Sequence, residues 1–329
     1  MATNRTYPAG QATGAEYAFH QWMTLYYDAY MTTASPQLRT MGLLEEAPTP
    51  GRNYHVSIPP LGTGDTVEQE DGQEWPAAFM QGAEVVGKVR KRGPRGLNFT
   101  EDDLLEDKLP LANANVTALG RAEKLFEDKE AARAMEAAIA GTDPVTKLPI
   151  VGHDNQPIFS AAHPIDPVKG NGTQTNLFTL ALTPDNLLTV ISNFRSLKTE
   201  SNDPIFTEEA GFCLVVPPSQ MANAEKCLDR QIIAEAVGSN AAGSVTNLMY
   251  KRAGLCVLPQ LTDTGRWYVA INNMMRKPIL RVVFRSLLRF QLGPESDEWK
   301  KRQMMKIYSN EKTDYRLVDW RLIAASKGQ

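Results

Sequence analysis

Two histidines lie close together in a chain that contains only four, and they could support acid–base or metal chemistry. His153 and His163 stand ten residues apart, in a stretch that also holds Asp154 and Asp166. Their spacing is not that of a helical metal motif such as HExxH, and no further ligand cluster stands at a recognisable spacing. Pro, Gly, Asn and Asp dominate 142–176, which indicates turns and short strands. We interpret the four residues as structural, and a hydrolase or metal enzyme that uses them is the alternative.

Other motifs of catalysis and nucleotide binding are incomplete. Residues 238–246 have glycines spaced as in a phosphate-binding loop, but Ser244 and Val245 stand where Lys and Ser/Thr are needed. The sequence has no GxSxG elbow for a nucleophilic serine and no GxGxxG after a strand. We therefore expect no enzyme, no cofactor and no catalytic or metal-binding residue.

The composition indicates a globular protein. The chain has 329 residues, 42% hydrophobic and 22% charged, with a net charge of −3, which argues against a basic face that coats nucleic acid. This length fits two lobes. Neither a signal peptide nor a run of about 20 apolar residues is visible, so we expect no membrane contact. The three cysteines form no CxxC pair, and we expect buried, reduced thiols.

Residues 15–33 predict an amphipathic helix with aromatic side chains on one face: Phe19, Trp22, Tyr26 and Tyr30. An isolated helix of this length is marginal in water, so it needs a partner surface within the chain or on another chain. A membrane surface is the weaker alternative, because the opposite face lacks Lys and Arg.

Residues 36–96 predict a long two-stranded arm. Sixteen of these 61 residues are Gly or Pro, yet the segments YHVSIP and AEVVGKV have the pattern of strands around a polar connection. A hairpin that stands alone is marginally stable at best. We therefore expect the arm to lie on another subunit.

Two blocks of opposite charge follow the arm. Lys88–Arg95 is basic, with Arg90 and Arg92, and Glu101–Asp107 is acidic, with Asp102 and Asp103. We interpret them as solvated or subunit-bridging charge, because opposite blocks set register and partner choice. Nucleic-acid binding through the basic block and through 281–306 is a third hypothesis for the function.

The rest of the chain predicts mixed elements. A helix over 116–140 with Asn115 as its N-cap comes first, and its predicted buried stripe is Leu119, Ala122, Phe126, Ala132, Met135 and Ile139. An α/β lobe over 175–272 follows, with a strand at 176–182, a helix capped by Thr183 and a helix capped by Ser219. Long strands end the chain. In the first of them Arg281, Arg285 and Arg289 lie opposite Val282, Phe284, Leu288 and Phe290.

The order of these features, and several local segments, resembles the major capsid protein of tailed bacteriophages with the Hong Kong 97-type fold. Within it, the chain is most similar to the major head subunit family of Mu-like phages. The segments that carry the resemblance are PIFSAAHP, AGFCLVVPPSQMANAEKCL, GSNAAGSVTNLMYKRAGLCVLPQL and RWYVAINNMMRKPILRVVFR. The first 110 residues match in layout rather than in letters.

The resemblance implies an α+β fold with a peripheral domain of long spine helix and long strands, a mixed α/β axial domain, an extended hairpin loop and an N-terminal arm. The implied regions are an N-terminal arm at 1–50, an extended loop at 51–110, a peripheral domain at 111–179 with its spine helix at 115–141, an axial domain at 180–272 and the peripheral long strands at 273–329.

The resemblance also implies a protein that self-assembles as hexamers and pentamers into an icosahedral head around double-stranded DNA. The expected location is the virion capsid, with the host cytoplasm during assembly. The chain shows no helical, charge-rich leader, which favours a separate scaffolding protein or a processed chain. A portal, a decoration protein and non-specific DNA contact complete the expected partners. Candidate intersubunit contacts are Phe19, Trp22, Tyr26, Tyr30, Arg90, Arg92, Asp102, Asp103, Arg281 and Arg285.

Overall fold

The computed structural model describes most of the chain in separate stretches: 14–58, 83–93, 96–100, 103, 109–144, 147, 149–152, 154–166, 172–199, 204–205, 211–237, 241–274 and 276–328. Within these stretches the α-helices are α1 (Gly14–Thr32), α2 (Gln37–Thr40), α3 (Leu109–Lys124), α4 (Phe126–Ala140), α5 (Pro184–Arg195), α6 (Met221–Leu228) and α7 (Asp297–Arg302). Two 3₁₀ turns occupy Pro218–Gln220 and Trp320–Leu322.

The strands in the described residues come in chain order. The first eight are β1 (Leu44–Pro48), β2 (Asn53–Ile58), β3 (Ala83–Lys88), β4 (Arg90–Arg92), β5 (Leu97–Thr100), β6 (His163–Pro164), β7 (Thr173–Gln174) and β8 (Leu177–Phe178). The others are β9 (Phe212–Val216), β10 (Ile232–Val237), β11 (Ala241–Thr246), β12 (Ala253–Val257), β13 (Arg266–Ile271), β14 (Ile279–Leu292), β15 (Met304–Leu317) and β16 (Ile323–Lys327).

The strands among the described residues form two larger sheets and three small ones. One five-stranded sheet has the order β1-β14-β15-β4, with β5 also paired to β15, and the other has the order β12-β9-β13-β16-β8. The pairs β2–β3, β6–β7 and β10–β11 are separate two-stranded sheets. The chain divides into two compact units. Unit 1 is Met1–Pro36, Arg90–Glu127 and Val283–Thr313, and unit 2 is Gln37–Val89, Asp128–Val282 and Asp314–Gln329.

Unit 1 has one main hydrophobic cluster, built by α1, α3, β5 and β15. Its buried side chains are Ala18, Trp22, Met23, Tyr26, Phe99, Ala112, Val116, Leu119, Met305 and Ile307. The apolar face predicted for the first helix is thus confirmed. It packs within the chain, on α3, β5 and β15. Trp22 packs on Phe99 with ring centroids 4.2 Å apart.

Unit 2 is built on the mixed sheet of β8, β9, β12, β13 and β16. Strands β9 and β12 are parallel, whereas β13 is antiparallel to both β9 and β16. All five side chains of β9 are buried, as expected for a strand covered on both faces. The three cysteines are free and buried in this unit, which confirms the sequence prediction.

The helix predicted at 116–140 differs from the structure at its start and its middle. Helix α3 begins at Leu109, so Asn115 lies inside the helix and is not its N-cap. Pro110 is tolerated in the first turn, and the packing of Val116 and Leu119 outweighs the weak helix propensity of asparagine. Residue Leu125 then separates α3 from α4.

The burial predicted for the apolar side chains of that helix is correct in its second half and wrong at one position in its first half. Ala132 and Met135 are buried and Ile139 is half-buried, whereas Ala122 is exposed. Glu123 takes its place in the interior of unit 1 and is 5% exposed. In α4, Arg133 forms an ion pair at 2.7 Å with Glu130, three residues earlier.

The α/β lobe was predicted correctly in most elements. Thr183 caps α5 by accepting a hydrogen bond from the backbone N–H of Asn186, and Pro184 stands at the first helical position. Two predictions were wrong. Only Leu177–Phe178 of the expected strand 176–182 is a strand, and the hydroxyl of Ser219 donates to the carbonyl of Thr264 rather than capping α6.

Candidate functional site

His163 lies in a buried polar cluster of unit 2 and is 0% exposed. Its Nδ1 is 2.6 Å from Oδ2 of Asp154, and its Nε2 is 3.1 Å from Oδ1 of Asn176. The ring also stacks on Trp320, with centroids 4.0 Å apart and planes 3° apart. The His163 ring is therefore enclosed by the side chains of Asp154, Asn176 and Trp320.

Asn176 fixes the orientation of this cluster. Its Nδ2 donates to the carbonyl oxygens of Ile158, Trp320 and Ile323 at 2.8, 3.1 and 3.1 Å. Its Oδ1 therefore faces His163 and also accepts from the backbone N–H of Ser160 at 3.0 Å. The Asn176 amide therefore joins three chain segments, its own, 158–163 and 320–323, and the sequence pattern around Asn176 gave no sign of this role.

This geometry does not provide a general base. Both ring nitrogens of His163 face oxygen acceptors, and the ring is out of contact with solvent, so a substrate cannot reach either nitrogen. Asp166 is buried as well. His153 lies outside the described residues. Across the part of the chain that the structure describes, no group of three or more His, Cys, Asp or Glu side chains could hold a metal ion.

The aromatic residues predicted as intersubunit contacts in α1 have different surroundings. Trp22 and Tyr26 are buried inside unit 1, and Phe19 and Tyr30 are half-buried. The helix still exposes Tyr17, Tyr27 and Met31. Contact with another subunit stays a prediction for α1, and these exposed side chains are the part of the helix that is free to make it.

A buried charged group fixes α1 in unit 1. The Tyr26 hydroxyl donates to Glu123, and Arg289 Nε donates to the other carboxylate oxygen of Glu123 at 2.7 Å. Burial, with the adjacent Glu123 carboxylate, raises the pKa of Tyr26 far above its usual value.

Lys124 and Arg289 also stand over the ring of Tyr30. Glu123 occurs at the spacing of the buried stripe, four residues after Leu119, which is the signal that could have identified it.

The β2–β3 pair is the root of the predicted arm, and its base is anchored in unit 2. Tyr54 Oη donates to Oδ2 of Asp314 at 2.7 Å, and both residues are buried. Gly87, directly opposite Tyr54 in the register, leaves the space that the Tyr54 ring occupies. Val86, beside it, is 56% exposed. The connection 59–82 lies outside the described residues.

Three of the candidate residues from the basic and acidic blocks, Arg90, Arg92 and Asp103, lie among the described residues of unit 1. Arg90 and Arg92 are half-buried in β4, opposite Thr313 and Glu311 of β15. Asp103 accepts from the backbone N–H and the hydroxyl of Thr100 at 3.0 and 2.9 Å. Asp102 lies outside the described residues. A role of these residues between subunits stays a prediction.

The two remaining candidate arginines have partners within the chain. Arg281 donates to Glu46 at 2.8 Å in unit 2, where Arg39 contacts the same carboxylate oxygen at 3.0 Å. Burial raises the pKa of Glu46, but the two arginines outweigh it and the pKa is lowered. In unit 1, Arg285 Nη2 donates to Oδ1 of Asn310 at 2.6 Å.

The contacts described above hold elements of the chain together within each unit. In the described residues, no helix is both long and apolar enough to span a membrane.

Comparison with solved structures relates the fold of the chain to that of capsid proteins. A search of curated proteins found no match. Among solved structures, the chain is similar to the capsid of cyanophage P-SCSP1u, with 13% identity over 90% of this chain and 89% of that chain and a TM-score of 0.51. It is also similar to the capsid of a native GTA particle, with 11% identity over 89% of each chain and a TM-score of 0.50.

A family model described as phage capsid protein matches residues 83–318, which is well over half of the chain. This stretch contains β3 to β15 and most of both units. The family and the fold point to a structural protein rather than an enzyme. The chain thus belongs to the phage capsid protein family, and its α+β fold is that of a tailed-phage major capsid protein.

Proposed function

We propose that the chain is the major capsid protein of a tailed phage, and that it assembles as hexamers and pentamers into an icosahedral head around double-stranded DNA. The observation that carries the proposal is the match of the phage capsid family model over 83–318. Similarity to the major head subunit of Mu-like phages, which rests on the sequence segments, is the finer form of the proposal.

Physical features of the chain support assembly. Strands β2 and β3 pair only with each other among the described strands, and an isolated two-stranded sheet is marginally stable in water. Tyr54 and Val56 of this pair pack on Leu280, Val282 and Val318 of the same chain, and a second subunit that covers the exposed Val86 adds further apolar contact. Head-to-tail contacts of this kind close into rings of five or six copies, and many modest contacts add up to a stable shell.

In this proposal each region has a place in the shell. The proposed regions are the N-terminal arm at 1–50, the extended loop at 51–110, the peripheral domain at 111–179, the axial domain at 180–272 and the peripheral long strands at 273–329. The N-terminal arm and the extended loop contact neighbours, and the axial domain lies at the centre of each ring. Packaged DNA is contacted without sequence specificity, because phosphate contacts with Lys and Arg carry no base information.

The partners follow from the same proposal. A separate scaffolding protein directs assembly, a portal occupies one vertex, and a decoration protein binds the outside. The protein is located in the capsid of the virion, after assembly in the host cytoplasm. A hydrolase or metal enzyme has no support from the described residues, because His163 is enclosed by Asp154, Asn176 and Trp320.

Negative-stain electron microscopy with light scattering tests the proposal. The chain is expressed alone and together with candidate scaffold genes, purified and imaged. We expect closed shells, tubes or discrete rings of five or six subunits. A monodisperse monomer or dimer under both conditions contradicts the proposal.

A further inference from the structure

The protons on the His163 ring follow from the atoms that its two nitrogens face. Asn176 donates through its amide nitrogen Nδ2 to three backbone carbonyl oxygens, and a carbonyl oxygen can only accept. Turning the amide over would place its oxygen against these three oxygens, so the network fixes Oδ1 as the atom 3.1 Å from Nε2 of His163. Nε2 therefore carries a proton and donates it to Asn176.

Asp154 sets the same condition at the other ring nitrogen. Its Oδ1 accepts from the backbone N–H of Gln156 at 3.1 Å, and its Oδ2 lies 2.6 Å from Nδ1 of His163. An ionised carboxylate has acceptors only, and hydrogen bonds between charged groups are shorter than those between neutral groups. Nδ1 is then a donor as well, so the ring carries two protons and a positive charge.

The groups around the ring favour a cation. Asp154 contacts the ring directly, and both side chains are 0% exposed. Trp320 lies flat on the ring, with centroids 4.0 Å apart, and the face of an indole attracts positive charge. Asp319 and Arg321, on either side of Trp320, pair with each other at 2.9 Å, so they add no net charge beside it. A buried imidazolium thus has a counter-charge and a stacking partner, whereas a neutral ring leaves one nitrogen lone pair against an oxygen.

We propose that His163 is an imidazolium in the folded chain and that its ion pair with Asp154 is a pH-sensitive lock in unit 2. The pair ties the turn region 150–163 to Asn176 and, through that amide, to the carbonyl oxygens of Trp320 and Ile323. When hydroxide removes a ring proton, a lone pair of His163 faces an oxygen of Asp154 or Asn176, and the region opens. The inference concerns the fold of unit 2 and goes beyond the proposed function.

The direction of the pH dependence follows from the number of bound protons. A histidine in an unfolded chain loses its second proton at about pH 6.5. At higher pH the folded chain holds one proton more than the unfolded chain, so each further pH unit lowers the folding equilibrium constant about tenfold. The stabilisation by the lock is therefore complete below about pH 6.5 and is lost as the pH rises. A neutral His163 predicts no such dependence.

The variant D154N is the matched comparison for this dependence. An asparagine at this position keeps the size of the side chain, accepts from Gln156 through its oxygen and donates to Nδ1 through its nitrogen. A neutral ring with its proton on Nε2 then satisfies both neighbours. Denaturant unfolding of the two chains is measured at pH 7 and pH 8. We expect the folding equilibrium constant of the natural chain to fall about tenfold more than that of D154N. Equal pH dependence of the two chains overturns the proposal.

Nitrogen NMR detects the ring protons directly and decides the question even if D154N fails to fold. The natural chain is labelled with ¹⁵N-histidine and packed by ultracentrifugation, so that solid-state spectra can be recorded whatever its state of assembly. A protonated ring nitrogen and a bare one have clearly different chemical shifts, and the His163 ring is assigned from its contact with the Trp320 ring. At pH 8 we expect both nitrogens to be protonated, whereas free histidine is mostly neutral at that pH. One bare nitrogen at pH 8 overturns the proposal.

Hydrogen exchange locates the lock within unit 2. Exchange rates at pH 7 and pH 8 are corrected for the intrinsic effect of pH, so that they report the opening of each segment. We expect the opening of peptides from 150–166 and 174–180 to increase about tenfold more than that of peptides from α5, and D154N should remove the difference. The same increase in all peptides of unit 2 overturns a local lock.

Discussion

Replacing Gly120 by alanine provides a sharp test of the packing in unit 1. Gly120 lies in α3, where it faces α1. A Cβ at this position would lie less than 3.0 Å from the carbonyl oxygen of Tyr26, a separation that Cβ atoms essentially never show, and 3.1 Å from Cβ of Ala29. The first of these atoms belongs to the backbone of a helix, so it cannot rotate away.

Two opposing effects set the size of the change. Alanine is the better helix former by about 1 kcal/mol, so the sequence alone predicts a more stable G120A variant. Overpacking of a close contact costs roughly 1–3 kcal/mol, and more where the backbone is involved. The helices must move apart by about half an ångström or more, which weakens the contacts of Trp22 and Leu119. We expect a net destabilisation of unit 1 by about 1–2 kcal/mol.

Hydrogen exchange measured by mass spectrometry is the suitable assay, because it reports the free energy of opening for α1 separately from the rest of the chain. G120A should exchange faster in peptides from α1 and α3. A118G, at an exposed position of the same helix, measures the propensity effect by itself and should cost about 1 kcal/mol. If the α1 peptides of G120A are protected as well as those of the natural chain, or better, the close contact with Tyr26 is refuted.

The remaining predictions concern unit 2. H163A leaves the buried Asp154 carboxylate without its ring partner and should lower the free energy of unfolding, measured with denaturant, by about 3–5 kcal/mol. H20A, at an exposed site, should change it by no more than about 0.5 kcal/mol. Equal losses of stability in the two variants would refute a structural role for His163. Y54F removes the donor to the buried Asp314 and should lower the free energy of unfolding by about 1–3 kcal/mol, whereas Y17F, at an exposed position, should leave it unchanged. Unchanged hydrogen exchange of Y54F in peptides from β2 and β3 would contradict the role of this hydrogen bond in fixing the strand pair. Burial raises the pKa of Cys213 to about 12 and of Cys256 to about 12, so a thiol reagent at pH 8 should label neither until the chain is unfolded, and rapid labelling of the native chain would count against their burial. These folded-state pKa values exceed the value of 9.0 for a free thiol. The contribution of the buried, protonated thiols to the free energy of unfolding is therefore complete below about pH 9 and is lost as the pH rises toward 12. Denaturant midpoints measured across that pH range should fall accordingly.

The elements that the sequence predicted well depend on local patterns. The spacing of Trp22 and Tyr26 identifies the apolar face of α1, and the order Thr183–Pro184 identifies the start of α5. In each case the residues that decide the outcome lie within one or two turns, or one strand, of each other.

The tertiary structure decided the rest, because the partners are far apart in the sequence. Glu123 and Arg289 meet across 166 residues, and Asn176 and Ile323 across 147, so no local pattern pairs them. Helix α3 starts before Asn115 because contacts with α1 outweigh a capping preference worth about 1 kcal/mol. Contacts between subunits were predicted from the helical spacing of the aromatic residues and from the blocks of opposite charge. Burial inside the chain separates Trp22 and Tyr26 from the exposed Tyr17 and Met31.

The sequence by itself thus determined the family resemblance, the class of each strongly patterned element and the absence of any recognised catalytic motif. Which side chains are used within the chain and which remain for a neighbour depended on the three-dimensional packing. The reason is physical: periodicity shows that a side chain needs a partner, but only the register of strands and the approach of helices show where that partner is. Phe284 and Leu288 on the exposed face of unit 1 are the result of that register.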